Sequence, residues 1–554
     1  MEKSNKKYIR LRPLSSLAKV FPEKIYGKTQ REIFAVTGQE VSFQIAYRLA
    51  PEGKYKLDDL KIDISSPFDE VTLYRVGTVP SELPVYPDRT DKNYITTKSG
   101  IFPDPLFPID NFTVSAAAYN WRSLWVSVKI PADCPSGDYG ISLRFTSANG
   151  ESASVSFKLR VRALTLPKQE LYFTQWFHCD CIANVHGVEI FSEEHWALIR
   201  SYMQLAAKYG MNTILTPVTT PPLDTAIGGE RPTVQLVDIT RTKSGYSFDC
   251  SLLKRFISLA LACGIEYFEI SHLFTQWGAR YAPKVMARTE NGYERIFGWE
   301  TDALGDPSYA EFLTEFVPAI MNTFDSCGIS RERLLFHVSD EPRIGDLENY
   351  KKARNILIPL TEGCKHIDAL SNLEFYTEGL VKSPVVATNH IDAYIDAKVE
   401  NLWCYYCCSQ CVDVANRFFS MPSSRNRIIG VQLYKYNIEG FLQWGYNFYY
   451  THHSLRLVDP YAETDADRAF PSGDPFTVYP YGDGAIPSLR QKVFASALDD
   501  LRLLKLVEEK IGRDATVALI ERAAGMTVTF SKYPTDDEFF DRLYEEIFKV
   551  LNIK

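Results

Sequence analysis

The sequence predicts an N-terminal antiparallel β-sandwich, a (β/α)8 barrel of the TIM type and a helical C-terminal extension. Up to about residue 165, short segments of alternating apolar and polar residues are separated by Pro and Gly turns. Beyond that point, short apolar segments alternate with long helical ones. Because such a change of pattern separates layered β domains from α/β domains, we expect a sandwich at 1–165 and a barrel at 166–510. Residues 511–554 are expected to pack on the barrel as helices.

The N-terminal pattern is typical of antiparallel strands. Segments 40–47, 124–130 and 152–161 alternate with a period of two, which places successive side chains on opposite faces of a sheet. Segment 135–140 supplies Pro, Ser, Gly and Asp for a turn between two strands. The regular recurrence of such strands favours a sandwich.

Eight strand candidates follow. They lie near 170–177, 212–217, 266–272, 333–339, 367–371, 385–388, 402–406 and 440–444. Helices are predicted between the early ones at 193–209, with Ser192 as its N-cap, at 251–263 and at 308–325. Parallel strands joined in this way form either a closed barrel or an open doubly wound sheet. The barrel is favoured because no glycine-rich phosphate loop follows the first strand.

The composition is that of a globular, mildly acidic protein. The 554 residues include 61 Lys and Arg against 69 Asp and Glu, for a net charge of −8, and 45% are apolar. Without a basic block, the chain is not expected to bind nucleic acid or anionic membranes. No apolar run approaches the ~20 residues that cross a bilayer, and no signal-like segment follows the basic start. We therefore expect a cytoplasmic protein, and the irregular spacing of 11 cysteines predicts reduced thiols.

The residues Asp340 and Glu341 are the leading candidates for catalysis. They follow the fourth barrel strand, at the end where barrels of this kind carry their reactive groups. Adjacent side chains in a strand diverge, so both reach one pocket only where the strand has ended, and Pro342 supports that placement. Two close carboxylates raise the pKa of one of them, which gives the neutral acid and ionised partner that glycoside cleavage uses. The alternative is a solvated loop whose two acids cap the next helix.

Aromatic residues gather at several predicted strand ends, and their rings suit the apolar faces of sugars, although core packing is the alternative. They are Trp176, Trp277, Trp403, Tyr405, Tyr406, Trp444 and Tyr446. Segment 404–411 contains two CxxC spacings. No His or distant second CxxC accompanies them, so structural or oxidation-sensitive thiols are favoured over zinc. His452 and His453 are interpreted as a loop pair, and neither a metal nor a cofactor is expected.

Taken together, these motifs resemble glycoside hydrolase family 123. The matching stretches include 176–180 (Trp-Phe-His-Cys-Asp), 215–225, 231–237, 272–278, 337–342 (His-Val-Ser-Asp-Glu-Pro), 440–447, 479–484 and 488–490. The resemblance covers the barrel throughout and the sandwich more loosely. It implies an enzyme that removes terminal β-linked N-acetylgalactosamine with retention of configuration.

The resemblance also implies a substrate-assisted mechanism. The 2-acetamido oxygen of the sugar would attack C1 and form an oxazolinium ion, with Glu341 as general acid/base and Asp340 orienting the acetamido group. The adjacency of the two acids fits this chemistry, because a protein nucleophile would lie across the sugar ring, ~5–5.5 Å from the acid. A nucleophile carried by the substrate needs its helper beside the acid instead.

The other expected site residues surround the terminal sugar of a carbohydrate substrate. His272, Trp277, Tyr405, Trp444 and Asn447 are expected to line the sugar and its acetyl methyl group. Asp180 and Asp224 are expected to bind hydroxyls or to brace loops. The segment 273–306 is expected to form a lid, and the sequence is compatible with a homo-oligomer.

Two alternatives stay open at this stage. The same barrel could act on another sugar, such as β-linked N-acetylglucosamine, because only the contact at the C4 hydroxyl separates the two epimers. A non-catalytic glycan-binding protein is the other alternative, against which the intact pair of acids argues. Fold analogy alone does not decide between them.

Overall fold

The computed structural model describes residues 8–52, 56–276 and 278–551. It contains two mainly antiparallel sheets at the N-terminus, a closed parallel barrel of eight strands and a group of C-terminal helices. The predicted fold class is therefore confirmed.

The sandwich consists of two five-stranded sheets. In spatial order, the first sheet contains Ile9–Ser15, Glu40–Leu49, Arg122–Lys129, Val71–Ser81 and Gly100–Pro108, and the second contains Glu32–Val36, Ser152–Arg162, Gly137–Ser147, Leu57–Ser65 and Thr113–Ala117. The short strands Lys19–Val20 and Ile25–Tyr26 pair with each other. Pairing is antiparallel as predicted, except that Glu32–Val36 runs parallel to its neighbour Ser152–Arg162.

The first sheet lies between the second sheet and the barrel. One of its faces packs against the second sheet, and the other packs against the barrel. Leu124 and Val126 pack between the two sheets, whereas Trp125 between them packs in the hydrophobic cluster shared with the barrel, as the alternation of a strand requires. Asp104 from this sheet pairs with Arg490 of the barrel side at 2.8 Å, and their side chains are 1% and 3% exposed. The sheet is thus a platform held by both apolar contacts and a buried ion pair.

The barrel strands 1 to 8 match the eight predicted segments. They are, in order, Tyr172–Gln175, Thr213–Thr216, Tyr267–Ile270, Leu334–Phe336, Lys365–Leu370, Ser383–Ala387, Trp403–Tyr405 and Gly440–Gln443. Each strand pairs in parallel with the next, and strand 1 closes against strand 8 with Tyr172 opposite Gly440. The closed barrel, rather than an open sheet, is therefore confirmed. The last sandwich strand ends at Arg162, ten residues before strand 1 begins.

The predicted helices of the early barrel are also present. The α-helices are Cys179–His186, Glu193–Lys208, Ser251–Cys263, Pro307–Ser326, Leu347–Leu357, Glu374–Thr377, Asp392–Asp396, Ser423–Arg427, Ile429–Lys435, Leu489–Ile511, Arg513–Ala524 and Glu538–Val550. Short 3₁₀ turns occur at Arg331–Arg333, Ile344–Asp346, Ile358–Leu360 and His452–Ser454. Ser192 caps its helix as predicted, because its hydroxyl accepts a hydrogen bond from the backbone N–H of His195. None of the described helices is long and apolar enough to span a membrane.

Inward-pointing side chains of the barrel strands lie at different heights, and only those near the C-terminal ends of the strands reach the upper end of the barrel. In strand 7, Trp403 and Tyr405 point inward together because they are two residues apart. Trp403 fills the lower end of the barrel, where a Cβ atom at Gly440 would lie only 2.2 Å from its ring, so position 440 requires glycine. Trp403 is therefore core, whereas Tyr405 lies at the upper, C-terminal end.

Loops after strands 2 and 3 build a small additional sheet. Its strands, in spatial order, are Gly245–Asp249, Asp238–Thr242, Val285–Thr289 and Gly292–Phe297. The segment 273–306, expected as a lid, supplies the last two of these strands. A further hairpin is formed by Val478–Tyr481 and Gly484–Pro487, and all eleven cysteines are unpaired thiols.

We expect the substitution Arg490→Met to destabilise the whole chain. It leaves Asp104 buried without its counter-charge, and breaking a buried pair in this way costs about 3–5 kcal/mol of the free energy of unfolding. The measurement is the urea midpoint of unfolding. Arg288→Met is the matched control, because its pair with Asp238 is 62% and 40% exposed and is expected to contribute less than about 1 kcal/mol. Equal effects of the two substitutions would contradict this role of the interface pair.

Candidate active site

A cavity of about 180 Å³ lies at the C-terminal end of the barrel. This is the end at which (β/α)8 barrels carry their reactive groups. Its walls come from the loops after most of the barrel strands. The lining residues are Trp176, His178, Leu223, Asp224, Gln276, Asp340, Glu341, Ala369, Tyr405, Cys407, Cys408, Leu442, Trp444, Phe448, His452 and Phe470.

The adjacent acids Asp340 and Glu341 both line this cavity. Strand 4 ends at Phe336, so both acids lie in the loop beyond it. Glu341 adopts a left-handed backbone conformation with φ of 44°, which costs about 1–3 kcal/mol for a non-glycine residue. Its backbone N–H donates to the carbonyl of Ala369 at 3.0 Å. This bend in the chain, rather than an extended strand, brings consecutive carboxylates to one cavity.

The two acids have different surroundings. Glu341 is exposed, and its Oε1 accepts a hydrogen bond of 2.7 Å from the hydroxyl of Tyr405. Asp340 is partly buried, and its carboxylate makes no hydrogen bond to another described residue. Burial and the negative charge of Glu341 raise the pKa of Asp340 well above its usual range. The pair therefore retains a proton to a higher pH than an isolated aspartate would.

A buried histidine lies beside the acids. His337 Nε2 is 2.7 Å from Glu269 Oε1, and His337 Nδ1 is 3.7 Å from Asp368 Oδ1. Burial disfavours the charged ring, but the carboxylates of Asp368 and Glu269 outweigh it and raise the pKa of His337 to about 10. His337 is therefore an imidazolium at neutral pH, and its positive charge acts against the rise in the pKa of Asp340.

Asp368 on strand 5 fixes the loop that carries the acids. Its Oδ1 accepts hydrogen bonds from the backbone N–H groups of Val338 and Ser339, at 2.9 and 3.1 Å. Its Oδ2 accepts a hydrogen bond from the hydroxyl of Tyr350. Because Ser339 immediately precedes Asp340, this side chain determines where the pair of acids begins.

Glu269 on strand 3 connects the same network to the cavity wall. Its carboxylate accepts hydrogen bonds from Thr174 Oγ1 at 2.6 Å and from Trp176 Nε1 at 2.7 Å, in addition to His337. The indole of Trp176, which lines the cavity, is thereby held in one orientation. Residues Glu269, His337 and Asp368 form what we refer to as the buried charge network.

Trp444 supplies an oriented aromatic wall. Its indole Nε1 donates to Asp474 Oδ2 at 2.9 Å, and its ring contacts Phe448 and Phe470 edge to face at centroid distances of 4.9 and 5.2 Å. Burial raises the pKa of Asp474 to about 7. All three aromatic rings line the cavity.

Asp224 lies in the cavity wall and is held by its neighbours. Its backbone N–H donates to Gln276 Oε1 at 3.0 Å, and its Oδ2 accepts from the backbone N–H of His453 at 3.0 Å. Burial raises the pKa of Asp224 to about 6. The expected residues Asp224, Tyr405 and Trp444 thus lie with Asp340 and Glu341 around one cavity.

Asp180 and Asn447 do not line the cavity but brace the loop after strand 1. Asp180 forms two hydrogen bonds of 2.7 and 2.8 Å with Arg231, and both side chains are 2% exposed. Burial alone would raise the pKa of Asp180, but the Arg231 charge outweighs it and lowers the pKa. Asn447 holds the backbone of His178 through hydrogen bonds to both its N–H and its carbonyl. Asp180 was expected either to bind a sugar hydroxyl or to brace a loop, and its contacts with Arg231 correspond to bracing a loop.

His272 is also placed behind the wall, and Trp277 lies outside the described residues. The His272 ring is fully buried, stacks on His337 at a centroid distance of 4.2 Å and contacts Trp176 edge to face. Burial and the charge of His337 lower the pKa of His272 well below its usual range. His272 therefore contacts the buried charge network rather than the cavity.

Sequence reasoning missed several residues of the site. Glu269 and Asp368 could have been found, because each is an acid with apolar neighbours on both sides in a barrel strand, where an unpaired charge is not tolerated. His178, Gln276 and Phe470 lie in loops and carry no comparable signal. Their positions depend on contacts between loops that are distant in sequence.

The protein-family model described as "Glycoside hydrolase 123, catalytic domain" matches residues 176–507. The chain belongs to glycoside hydrolase family 123. The matched region contains seven complete barrel strands and all the acids of the cavity, so this chain is a family 123 enzyme.

The comparison with solved structures gives one match that supports the fold, the first of the three below. A family 123 glycoside hydrolase from Clostridium perfringens, analysed for the details of glycolipid glycan hydrolysis, aligns over 98% of this chain and 97% of its own, with a TM-score of 0.73 and 16% identity. A GH5 xyloglucanase from Bacteroides ovatus has a TM-score of 0.31 at 8% identity, covering 85% of this chain and 98% of its own. A GH2 β-galacturonidase from Eisenbergiella tayi has a TM-score of 0.31 at 10% identity, covering 89% and 71%. The comparison with curated proteins gave no match.

We expect His337 to remain protonated at pH 8, because its pKa is raised to about 10. In Glu269→Gln, the loss of one of its two anionic neighbours should move this pKa towards the ordinary value of ~6.5. Nitrogen-15 NMR of the histidine side chains reports the protonation state directly. Glu290→Gln, a change at an exposed acid, is the control and should leave His337 unchanged. A neutral His337 at pH 8 in the unmodified protein would show that the network does not hold an imidazolium.

Proposed function

We propose that this enzyme removes terminal β-linked N-acetylgalactosamine by a retaining, substrate-assisted mechanism. The observation that carries the proposal is the placement of two consecutive acids, Asp340 and Glu341, in one cavity but in different surroundings. Because Asp340 and Glu341 are adjacent in the chain and line one cavity, a sugar bound there would meet both carboxyl groups on the same side. This arrangement suits a nucleophile supplied by the sugar itself rather than by a carboxylate across the ring.

Glu341 acts as the general acid and then as the general base. In the first step the acetamido oxygen attacks C1, the bond from C1 to the leaving oxygen breaks, and Glu341 gives its proton to that oxygen. In the second step Glu341 takes a proton from water, whose oxygen attacks C1 and reopens the oxazolinium ring. The two inversions at C1 give retention. The hydroxyl of Tyr405, which donates to Glu341 Oε1 at 2.7 Å, holds the carboxyl in position.

Asp340 accepts the N–H of the acetamido group and steadies the positive charge that develops. Its carboxylate is available for this purpose, since it makes no hydrogen bond to another described residue. In the free protein, burial and Glu341 raise the pKa of Asp340. A hydrogen bond from the substrate to the ionised form of Asp340 favours that form. Substrate binding therefore favours the ionised form of Asp340, which is the form that the first step needs.

The aromatic wall provides the complementary apolar contact. Trp444 and Trp176 line the cavity, and their indole N–H groups are held by Asp474 and Glu269. Sugars have apolar C–H faces that such rings bind. By analogy with the Clostridium perfringens enzyme, a glycolipid glycan is the proposed source of the terminal sugar.

The test of this function uses aryl β-glycosides with the unmodified protein and two variants. Glu341→Gln should lower kcat/KM for the aryl N-acetylgalactosaminide about 10²–10⁴-fold, because the proton donor is removed. Asp340→Asn should lower it about 10²-fold, because the acetamido group is no longer held in place. Glu348→Gln, a change at an exposed acid on the next helix, is the matched control and should leave the rate unchanged.

The same assay separates the alternatives. The N-acetylgalactosaminide should be cleaved faster than the N-acetylglucosaminide, and a β-galactoside without the acetamido group should be inert. Faster cleavage of the glucosaminide would overturn the sugar assignment and leave the mechanism standing. Cleavage of the sugar lacking the acetamido group, with an inert N-acetylgalactosaminide, would overturn the substrate-assisted mechanism.

A further inference from the structure

Three side chains that can bind a metal meet at the rim of the cavity. They are Asp224 from the loop after strand 2 and His452 and His453 from the loop after strand 8. One ligand atom from each lies within 4.8 Å of the other two. Asp224 and His452 also line the cavity.

Backbone contacts hold the two loops together at this point. The backbone N–H of His453 donates to Asp224 Oδ2 at 3.0 Å, and the hydroxyl of Ser454 donates to the carbonyl of Asp224 at 2.7 Å. The backbone N–H of Ala226 donates to the carbonyl of His453 at 3.1 Å. The three side chains therefore start from a fixed framework, which lowers the cost of ordering them around an ion.

The chain is strained where these side chains begin. Asp224, His453 and Ser454 have φ angles of 41°, 62° and 56°. Left-handed conformations cost about 1–3 kcal/mol each for non-glycine residues and persist where the surroundings impose them. The backbone contacts between the two loops hold Asp224 and His453 in these conformations.

The ligand atoms of His452 and Asp224 have a separation that suits an ion rather than a hydrogen bond. His452 Nε2 lies 3.8 Å from Asp224 Oδ1, beyond hydrogen-bond distance. Two ligands of one tetrahedral zinc ion, with bonds of about 2.0–2.1 Å, lie about 3.4 Å apart. The ring of His452 makes no hydrogen bond within the described part of the chain, so its nitrogen is available.

We propose that Asp224, His452 and His453 bind a divalent transition-metal ion of the zinc type. Two imidazoles and one carboxylate are the ligands that such ions prefer, whereas Ca²⁺ and Mg²⁺ require more oxygen ligands. Three protein ligands would leave one coordination position of a tetrahedral ion for a water molecule. This assignment departs from the expectation, drawn from the sequence, that the two histidines are only a loop pair.

The ion has a structural consequence for the cavity. It joins the loop after strand 2 to the loop after strand 8, and so fixes one side of the cavity mouth. The three ligands do not include Asp340 or Glu341, although Asp224 and His452 line the same cavity as those acids. The inference does not rest on which sugar is cleaved.

Isothermal titration of chelator-treated protein with Zn²⁺ alone tests the proposal. We expect one ion per chain in the unmodified protein and in His390→Ala, a change at an exposed histidine elsewhere on the barrel. His452→Ala and His453→Ala should each weaken binding at least ~10-fold, since even indirect partners of a metal contribute that much. The side chain of His452 is 49% exposed, so its truncation leaves the fold intact, as circular dichroism would verify.

The cysteines near the cavity are the competing ligands, and Co²⁺ distinguishes them. Co²⁺ bound by Asp224 and the histidines shows visible d–d bands without the intense thiolate charge-transfer bands. The proposal is overturned if Zn²⁺ binding does not saturate at one per chain, or if both histidine variants bind like the unmodified protein. It is also overturned if thiolate bands appear and Cys408→Ser abolishes binding. Because no sugar is present, none of these results depends on the activity assay.

Discussion

The ion pair between buried His337 and the carboxylates of Glu269 and Asp368 is the constraint on which the active end of the barrel depends. A charge inside a barrel is tolerated only when it is paired and hydrogen-bonded. Here the pairing also has a mechanical effect, because the same carboxylates hold Trp176 and the backbone at Val338 and Ser339. The positions of the loop that carries Asp340 and Glu341 and of one aromatic wall therefore follow from a single cluster of charges.

The two acids differ in their surroundings, and the buried charge network acts on one of them. Burial and Glu341 raise the pKa of Asp340, the His337 charge of the network lowers it, and the carboxylates of Asp368 and Glu269 raise it. Glu341 lies towards solvent with the hydroxyl of Tyr405 as its partner. Neighbours in sequence thus differ in solvation and in hydrogen bonding, which is the basis on which two carboxyl groups can take different roles.

The periodicity of the sequence was sufficient to predict the sandwich, the eight barrel strands and the capped helix after Ser192, because these depend on local alternation and on local capping. The acids at 340 and 341 were also predictable, since a polar pair followed by proline marks the end of a strand. The roles of Asp180, Asn447 and His272 were not. Arg231 lies 51 positions from Asp180, and His178 lies 269 positions from Asn447. Side chains with such distant partners look the same in sequence whether they brace a loop or face a ligand.

The central claim is that Asp340 holds the acetamido group of the sugar while Glu341 exchanges protons with the leaving oxygen and water. A crystal structure with the thiazoline analogue of N-acetylgalactosamine bound tests it most directly. The account predicts that a carboxylate oxygen of Asp340 lies within hydrogen-bond distance of the thiazoline nitrogen, with Glu341 beside the anomeric carbon. A thiazoline bound with its nitrogen turned away from Asp340, or bound outside this cavity, would contradict the account.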